Sequence, residues 1–165
     1  MTPLVVLVGP PGAGKSTVGR LVAERRGAEF RDTDADVEAA ASMPIADLFV
    51  ERGEPVFREL ERTAVKRAVA EHAGVLAVGG GAVVDPETRA LLKGERVVFL
   101  DVGLTDAVAR IGLNRDRPLL IGNLRSQLRS MLEERRPWYA EVASATIRTD
   151  GRTPDEVASE VEAAL

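Results

Sequence analysis

The stretch that most restricts the fold is GPPGAGKST, residues 9–17, which directly follows the apolar run PLVVLV. It matches G-x-x-x-x-G-K-[ST], the pattern in which a buried strand passes through a glycine-rich loop into a helix. The glycines let backbone N–H groups point inward at a phosphate chain, and the helix presents its positive N-terminal end. Lys15 would then reach the β- and γ-phosphates of a nucleotide, and Ser16 would ligate Mg²⁺. The stretch predicts an ATP or GTP site on an α/β fold.

Four further apolar runs, AEFRD, GVLAVG, RVVFLDV and SATIRT, alternate with segments of helical period. Near-continuous apolar strands that alternate with helices indicate a parallel sheet covered by helices on both faces. A chain of 165 residues is long enough for one domain of this kind. We therefore expect a single α/β domain over residues 1–165, a three-layer α/β/α arrangement with five parallel strands.

The composition excludes several classes of protein. The chain has no cysteine, which excludes disulfides and a Cys-based zinc site and is compatible with the cytoplasmic location that we expect. Its net charge of −4 argues against a general nucleic-acid partner. No apolar run approaches the roughly 20 residues of a membrane span, and the start, MTPLVVLVG, lacks the basic leader of a signal peptide. We expect neither nucleic-acid nor membrane partners.

Three carboxylates, Asp32, Asp34 and Asp36, occupy alternate positions in DTDADVE. A calcium loop that began at Asp32 would need Gly at its sixth position and Glu at its twelfth. Those positions hold Val37 and Met43, so an EF-hand is excluded. Each aspartate could instead cap the following helix, and for Asp36 this is the preferred interpretation.

Three glycines, Gly79 to Gly81, follow the strand GVLAVG. Glycine permits close backbone approach, and ligands of open α/β sheets bind at the carboxyl ends of the strands. A tight turn is the alternative interpretation. Beside a phosphate-binding loop, the three glycines favour a second ligand at the same edge of the sheet.

The periodicity lapses over about residues 112–123, a polar segment that contains RPLL. Such a segment is typical of a mobile surface loop. A lid of this kind would carry Arg117 onto the γ-phosphate and exclude water, so that the phosphate reaches an acceptor. A solvated basic loop is the alternative.

Two helices carry polar side chains at informative positions. After Glu54, the apolar stripe of one helix has Glu61 just inside it and Arg58 at its margin. In a later helix Arg135 falls where an apolar residue is expected, whereas Arg136 is turned about 100° away. A cation on an apolar stripe either extends to solvent or faces a ligand, and the pattern alone leaves both open.

The chain resembles the shikimate kinases over nearly its whole length. The matching motifs, in order, are GPPGAGKST, DTDADVE, GEPVFRELE, GGGAV, NRDRPLL and RRPWY. The resemblance implies a kinase of the P-loop type with a mobile lid, similar in fold to nucleoside monophosphate kinases. It also implies transfer of the ATP γ-phosphoryl group to the 3-hydroxyl of shikimate, in the chorismate pathway to aromatic amino acids, with Mg²⁺ as cofactor.

The resemblance assigns residues to three groups. Those implied to bind ATP are Gly12, Ala13, Gly14, Lys15, Ser16, Thr17, Arg110, Arg117 and Arg152. Those implied to bind shikimate, within and beyond a substrate segment of about residues 33–73, are Asp34, Arg58, Gly79, Gly80, Gly81 and Arg135, with Phe49, Phe57 and Glu61 around the pocket. Lys15, Asp34 and Arg117 would be catalytic, and Mg²⁺ would be held by Ser16 and, through a water, by Asp32.

Three further residues lie outside this machinery or depart from the family pattern. Trp138 stands at an often aliphatic position of R-x-P-x-Y, and we expect it to pack. Arg148 replaces an Asp that is common in the adenine loop of the family. We expect His72, near a polar helix end, to be a surface or helix C-terminal residue without a catalytic role.

Two other functions compete with this prediction. A kinase of another small metabolite, such as gluconate or a nucleoside monophosphate, would use the same phosphate loop, and gluconate also joins a carboxylate to hydroxyls. A regulatory module that binds ATP without transferring phosphate would not need an acceptor pocket. We expect the chain to act as a monomer.

Overall fold

The computed structural model describes residues 2–112 and 123–165. Within them lies a parallel sheet of five strands in the order β2-β3-β1-β4-β5. The strands are β1 (Val5–Val8), β2 (Phe30–Asp32), β3 (Val75–Ala77), β4 (Val97–Asp101) and β5 (Ala145–Arg148). Each of the five apolar runs forms one strand, which confirms the predicted sheet.

The helices alternate with these strands along the chain, as the sequence predicts. They are α1 (Lys15–Arg25), α2 (Thr33–Ala41), α3 (Ile45–Arg52), α4 (Glu54–Glu71), α5 (Pro86–Leu92), α6 (Leu104–Gly112), α7 (Leu124–Val142) and α8 (Pro154–Ala163), with a 3₁₀ turn at Ala82–Val84. Of the lid predicted over about 112–123, residues 113–122 lie outside the described part.

The two faces of the sheet pack against different helices because neighbouring strand residues point in opposite directions. Val5 and Leu7 of β1 belong to one apolar cluster, together with residues of α1, α8 and the start of α7. Val6 and Val8 belong to a second cluster, with residues of α4 and Tyr139. This is the predicted three-layer arrangement, with helices packed on both faces of the sheet.

A third apolar cluster lies beside the sheet and joins α2, α3 and α4. It consists of Val37, Ala41, Leu48, Phe57 and Ala64, with three partly buried neighbours. It packs the middle and the end of α2 against residues 57–64 of α4. These helices make up most of the predicted substrate segment at 33–73.

His72 is a helix C-terminal residue, one of the two predicted positions, but it does not lie at the surface. It caps the end of α4 and is only 8% exposed, with Nε2 3.2 Å from the carbonyl oxygen of Glu29 and 3.0 Å from that of Val75. The polarity of the helix end suggested a surface position, but the ring joins the amino ends of β2 and β3. It lies at the edge of the sheet opposite to the strand ends that carry the glycines.

Among the helices of residues 2–112 and 123–165, none is long and apolar enough to cross a bilayer.

Candidate active site

The phosphate loop connects the end of β1 to the start of α1, as the motif predicts. Gly12 and Gly14 adopt φ values of +83° and +91°, which side chains rarely allow, and Gly14 is the N-cap of α1. A Cβ on Gly9 would lie 2.5 Å from the carbonyl oxygen of Leu100 on β4. The glycines are therefore needed both for the turn and for its close packing on the sheet.

Lys15 lies inside this loop. Its Nζ donates hydrogen bonds to the carbonyl oxygens of Gly9 at 2.6 Å and Pro10 at 3.1 Å. Desolvation of the ammonium group lowers the pKa of Lys15 to about 8, although the carboxylates of Asp34 and Asp32 act in the opposite direction. An added anion at this position would favour the charged ammonium group.

Ser16 and Asp32 bring oxygen atoms together beside the loop. The Ser16 hydroxyl donates to Oδ2 of Asp32 at 3.3 Å, and Oδ1 of Asp32 accepts a hydrogen bond from the backbone N–H of Asp34 at 2.9 Å. Asp32 is thus the N-cap of α2 and a neighbour of Ser16 at once. Hydroxyl and carboxylate oxygens suit Mg²⁺, which binds proteins through few ligands and keeps several waters. In the described ranges, no group of three His, Cys, Asp or Glu side chains could hold a metal by itself.

Asp36 does not cap a helix. It lies in the first turn of α2, and its Oδ2 accepts a 2.8 Å ion-pair hydrogen bond from Nε of Arg31. The preferred interpretation of Asp36 as a cap is wrong, because the helix begins at Thr33 and Asp32 takes the cap position. Asp36 instead ties the start of α2 to β2.

A cavity of about 310 Å³ lies between the phosphate loop and residues of α6 and α8. Its lining includes Arg110 from α6, Thr149 after β5 and Arg152 before α8. Other lining residues come from the loop and α1, namely Gly12, Ala13, Gly14, Thr17 and Val18, and two come from α8, Pro154 and Val157. Arg110 and Arg152, which the family resemblance implies for ATP binding, therefore meet at one cavity next to the phosphate loop.

Arg110 connects the two walls of that cavity. Its guanidinium donates to the carbonyl oxygen of Gly12 at 2.9 Å, to the hydroxyl of Thr149 at 3.1 Å and to the carbonyl oxygen of Thr149 at 2.9 Å. Arg152 donates to the carbonyl oxygen of Arg148 at 3.1 Å and to Glu160 Oε2 at 2.9 Å. The Arg148 side chain is 64% exposed and forms ion pairs with Asp101 and Asp150, so it is not among the residues that line this cavity.

A second cavity, of about 280 Å³, joins the phosphate loop to the acidic start of α2. It is lined by Gly12, Gly14, Lys15, Ser16, Thr17, Asp32, Asp34, Ala77 and Val78. Asp34 therefore shares a cavity with Lys15, whose charge it stabilises. A phosphate chain held by the loop would end near the Asp34 carboxylate.

Gly79 lies where three side chains converge on the end of β3. Its N–H donates to the hydroxyl of Thr33 at 3.1 Å. A Cβ there would overlap Oδ1 of Asp34 and lie 2.9 Å from Oε2 of Glu61. At Gly81 a Cβ would overlap the Arg58 guanidinium and lie 2.9 Å from its Cζ. The glycines allow these charged groups to reach the backbone closely.

Arg58 and Glu61 form an ion pair on α4, with Nη1 of Arg58 2.8 Å from Oε1 of Glu61. Glu61 is 4% exposed, and this burial raises its pKa, against the opposing effect of Arg58. The Arg58 guanidinium also lies over the ring of Phe57, which stacks on Phe49 with 4.7 Å between centroids. Arg58 is therefore held in place by both charge and packing.

Arg135 and Arg136 diverge, as their helix positions predict. Arg136 contacts Asp101 Oδ1 and the carbonyl oxygen of Val102, at 3.3 and 3.4 Å. Arg135 lies close enough to Lys15, Glu61 and Tyr139 to influence the pKa of each. The cation on the apolar stripe thus faces the phosphate loop and α4.

The sequence did not reveal two residues that build this site. Thr33 is fully buried between two partly exposed aspartates, and its hydroxyl accepts the hydrogen bond from the N–H of Gly79. The Tyr139 hydroxyl donates a hydrogen bond to the carbonyl oxygen of Gly80. A hydroxyl in D-T-D was a usable signal for Thr33, because neighbouring side chains point in different directions where a strand meets a helix. Tyr139 is the last residue of the RRPWY motif, but its contact joins positions 59 residues apart, and no local pattern predicts that contact. Arg117 lies outside the described residues.

Comparison with known proteins gives consistent results. The protein-family model described as "SKI: Shikimate kinase" matches residues 11–165. The curated shikimate kinase of Salinispora arenicola is 57% identical over 165 residues, which cover 100% of this chain and 99% of that protein. That of Streptomyces avermitilis is 59% identical over 163 residues, with 99% and 95% covered.

Solved structures show the same similarity. The shikimate kinase from Acinetobacter baumannii in complex with shikimate has a TM-score of 0.91 and 36% identity, with 98% of this chain and 91% of that chain covered. A gluconokinase from Sinorhizobium meliloti has a TM-score of 0.61 and 20% identity, with 97% and 89% covered. The second likeness concerns the fold alone.

Proposed function

Because the chain belongs to the shikimate kinase family, its reaction is the transfer of the ATP γ-phosphoryl group to the 3-hydroxyl of shikimate, and we propose how the site performs it. The products are ADP and shikimate 3-phosphate, within the chorismate pathway. The observation that carries this function is the 57% identity to a curated shikimate kinase over the full length of both chains. The roles of individual residues rest on the geometry of the site.

ATP binds with its phosphates in the loop of residues 9–17. The backbone N–H groups from Gly12 to Thr17 face the phosphates, and Lys15 leaves the carbonyl oxygens of Gly9 and Pro10 for the β- and γ-phosphates. The adenine lies in the 310 Å³ cavity, flanked by Arg110 and Arg152. Arg117, outside the described residues, is proposed from the family resemblance to approach the γ-phosphate.

Ser16 and Asp32 would hold Mg²⁺, Ser16 directly and Asp32 through a water. Their oxygens already lie 3.3 Å apart beside the phosphate loop, which supports the assignment. The ion would neutralise charge on the β- and γ-phosphates when it is bound with ATP.

Shikimate binds between α2, α4, α7 and the end of β3. Its carboxylate suits paired N–H donation from the guanidinium groups of Arg58 and Arg135, which flank the buried Glu61. Its hydroxyls suit the Asp34 carboxylate and the backbone of residues 79–81 at the opposite end. The substrate segment proposed for about 33–73 contributes Asp34 and Arg58, and Phe49 and Phe57 form an apolar wall beside them.

Asp34 is the group placed to act on the attacking hydroxyl. It shares the 280 Å³ cavity with Lys15, so a hydroxyl that it holds would lie close to the end of the phosphate chain. Phosphoryl transfer depends mostly on positioning and charge stabilisation. Asp34 therefore orients the hydroxyl and accepts its proton late, as the bond to phosphorus forms and the bond to the β-phosphate oxygen breaks.

We further propose that the protein acts as a monomer in the cytoplasm, without nucleic-acid or membrane partners. The net charge of −4 supports the absence of a nucleic-acid partner. Size-exclusion chromatography with light scattering tests the first point: a mass near the 17.7 kDa of the chain is expected, and a mass of twice this value would contradict it.

Coupled ADP release, with shikimate, gluconate and nucleoside monophosphates offered in turn, tests the acceptor. Release that depends on shikimate and on added Mg²⁺ is expected. Faster release with gluconate or a nucleotide than with shikimate would overturn the assignment. Equal release without any acceptor would indicate an ATPase.

A further inference from the structure

Tyr139 connects α7 to the acceptor loop, defined here as residues 79–84. Its hydroxyl donates to the carbonyl oxygen of Gly80, and its ring packs on Phe99 with 5.1 Å between centroids. We propose that Tyr139 is a positioning residue for acceptor binding, which fixes the Gly80 peptide and the neighbouring Arg135 through this hydrogen bond. The inference rests on the proposed function and assigns to Tyr139 a role in shikimate affinity.

Tyr139 lies four residues after Arg135, one helical turn away on the same side of α7. The Arg135 guanidinium acts electrostatically on the Tyr139 hydroxyl, as do Arg58 and Glu61. The hydroxyl therefore lies close to Arg135, Arg58 and Glu61, the charged groups around the proposed acceptor site. A single hydrogen bond at this position couples the backbone of Gly80 to the helix that carries Arg135.

Arg89 holds the other end of the acceptor loop against the same helix. Its Nη1 donates to the carbonyl oxygens of Val83 at 2.6 Å and Val84 at 3.1 Å, and its Nε lies 3.3 Å from Oε2 of Glu141 on α7. Its guanidinium also lies over the ring of Trp138, 4.9 Å from the centroid. The loop is thus attached to α7 at Gly80 and, through Arg89, at residues 83 and 84.

The Tyr139 hydroxyl is a donor over the whole working pH range. Burial raises the pKa of Tyr139 to about 12, although Arg135 opposes the rise. A neutral hydroxyl can donate to a carbonyl oxygen, whereas a phenolate cannot. The effect of Tyr139 on acceptor affinity should therefore be independent of pH between about 6 and 9, because this whole range lies well below the pKa of Tyr139.

A Phe at this position keeps the ring and loses the donor. The Gly80 carbonyl oxygen would then lack its hydrogen-bond donor on α7, and the Gly80 peptide would be free to turn. Shikimate binding would then have to restrict the Gly80 peptide to one orientation, which would reduce the affinity for shikimate. We expect Tyr139→Phe to raise the KM and Kd for shikimate about fivefold, the effect of about one net hydrogen bond. The kcat and the KM for ATP should stay near their wild-type values.

Phe99→Leu is the matched control, since it removes packing from the same ring and leaves the hydroxyl. It should lower the melting temperature at least as much as Tyr139→Phe, with the KM for shikimate unchanged. Trp138, the single tryptophan of the chain, contacts Arg89 and provides a fluorescence titration of shikimate that does not depend on turnover. Arg89→Gln loosens the same loop from its other end and should also weaken shikimate binding selectively, so the proposal stays testable if Tyr139→Phe does not fold.

Each result decides the question. Selective loss of shikimate affinity in Tyr139→Phe, with unchanged affinity in Phe99→Leu, supports the positioning role. If Tyr139→Phe does not fold, selective loss in Arg89→Gln supports the role and unchanged affinity in Arg89→Gln overturns it. Unchanged shikimate affinity in Tyr139→Phe, or an equal rise in the KM for ATP, would overturn it, as would the same loss in Phe99→Leu. A wild-type protein that does not phosphorylate shikimate would contradict the proposed function instead, and this is measured separately.

Discussion

The carboxylates of Asp34 and Glu61 converge on one backbone position from two helices, α2 and α4. A Cβ at Gly79, between them, would overlap Oδ1 of Asp34 and lie 2.9 Å from Oε2 of Glu61. Burial and, to a lesser extent, the Asp34 carboxylate raise the pKa of Glu61, and its ion pair with Arg58 opposes this rise. The acceptor end of the site is therefore assembled around the absence of a side chain.

Gly79→Ala should displace the Asp34 carboxylate. A shift of about 1 Å at a reacting group costs about 100-fold in rate, so we expect a loss of this order in shikimate-dependent ADP release. ATP binding, measured by calorimetry, should persist because the phosphate loop is unchanged. Gly94→Ala is the control: the nearest atom to the added Cβ would be Leu91 O, at 3.6 Å, which is ordinary contact distance, and its activity should match the wild type. Normal activity in Gly79→Ala would contradict the described convergence.

Asp34→Asn should lower kcat by at least about 100-fold, the lower end of the effect of a general base. The amide keeps the shape of the side chain but neither accepts the proton nor attracts the hydroxyl as strongly. Asp36→Asn, two positions away, breaks only the ion pair with Arg31 and should retain its kcat. Single-turnover rates and ATP affinity of both variants provide the test. Equal rates in the two variants would remove Asp34 from the mechanism.

Arg135→Ala should raise the KM for shikimate at least about tenfold, because a charged hydrogen bond to the substrate carboxylate is lost. Arg136→Ala should instead leave this KM almost unchanged and lower the melting temperature slightly, since Arg136 pairs with Asp101 and is 42% exposed. Steady-state kinetics and thermal melts on both variants distinguish the two. A larger KM effect in Arg136→Ala would reverse the assignment of the guanidinium that binds the substrate.

Glu61 gives a dependence of stability on pH. Burial raises its pKa in the folded state above the unfolded value of 4.5, so the fold favours the protonated carboxyl group. Its contribution to stability is fully present below pH 4.5 and is lost as the pH rises through the raised folded-state value. Glu61→Gln should therefore gain in melting temperature relative to the wild type as the pH is raised from 4 to 8.

Glu54→Gln is the control for this experiment. Glu54 also contacts Arg58, at 3.4 Å, but its side chain is 63% exposed. The difference in melting temperature between this variant and the wild type should be nearly constant over the same pH range. A constant difference for Glu61→Gln as well would show that Glu61 has no raised pKa in the folded protein.

The elements that the sequence predicted are those determined by local patterns. The five apolar runs form the five strands, and the glycine pattern of residues 9–17 forms the turn that its φ values require. The stripe of α4 also placed Glu61 and Arg58 correctly relative to the core, since a helix determines which side chains share a face.

What the sequence did not predict depends on contacts between distant segments. His72 is buried because the amino ends of β2 and β3 meet over it. Tyr139 of α7 contacts Gly80, which lies 59 residues earlier in the chain. The cap of α2 is Asp32 and not Asp36, because the helix begins directly after the last residue of β2. Each of these outcomes follows from the packing of elements, which a local pattern does not contain.

The central claim is that this chain phosphorylates the 3-hydroxyl of shikimate. The most direct measurement is phosphorus and proton NMR of a reaction that contains the wild-type protein, ATP, Mg²⁺ and shikimate. We predict equal amounts of ADP and shikimate 3-phosphate, with the phosphorus coupled to the proton on carbon 3. Inorganic phosphate as the main product, or phosphate on another hydroxyl, would contradict the account.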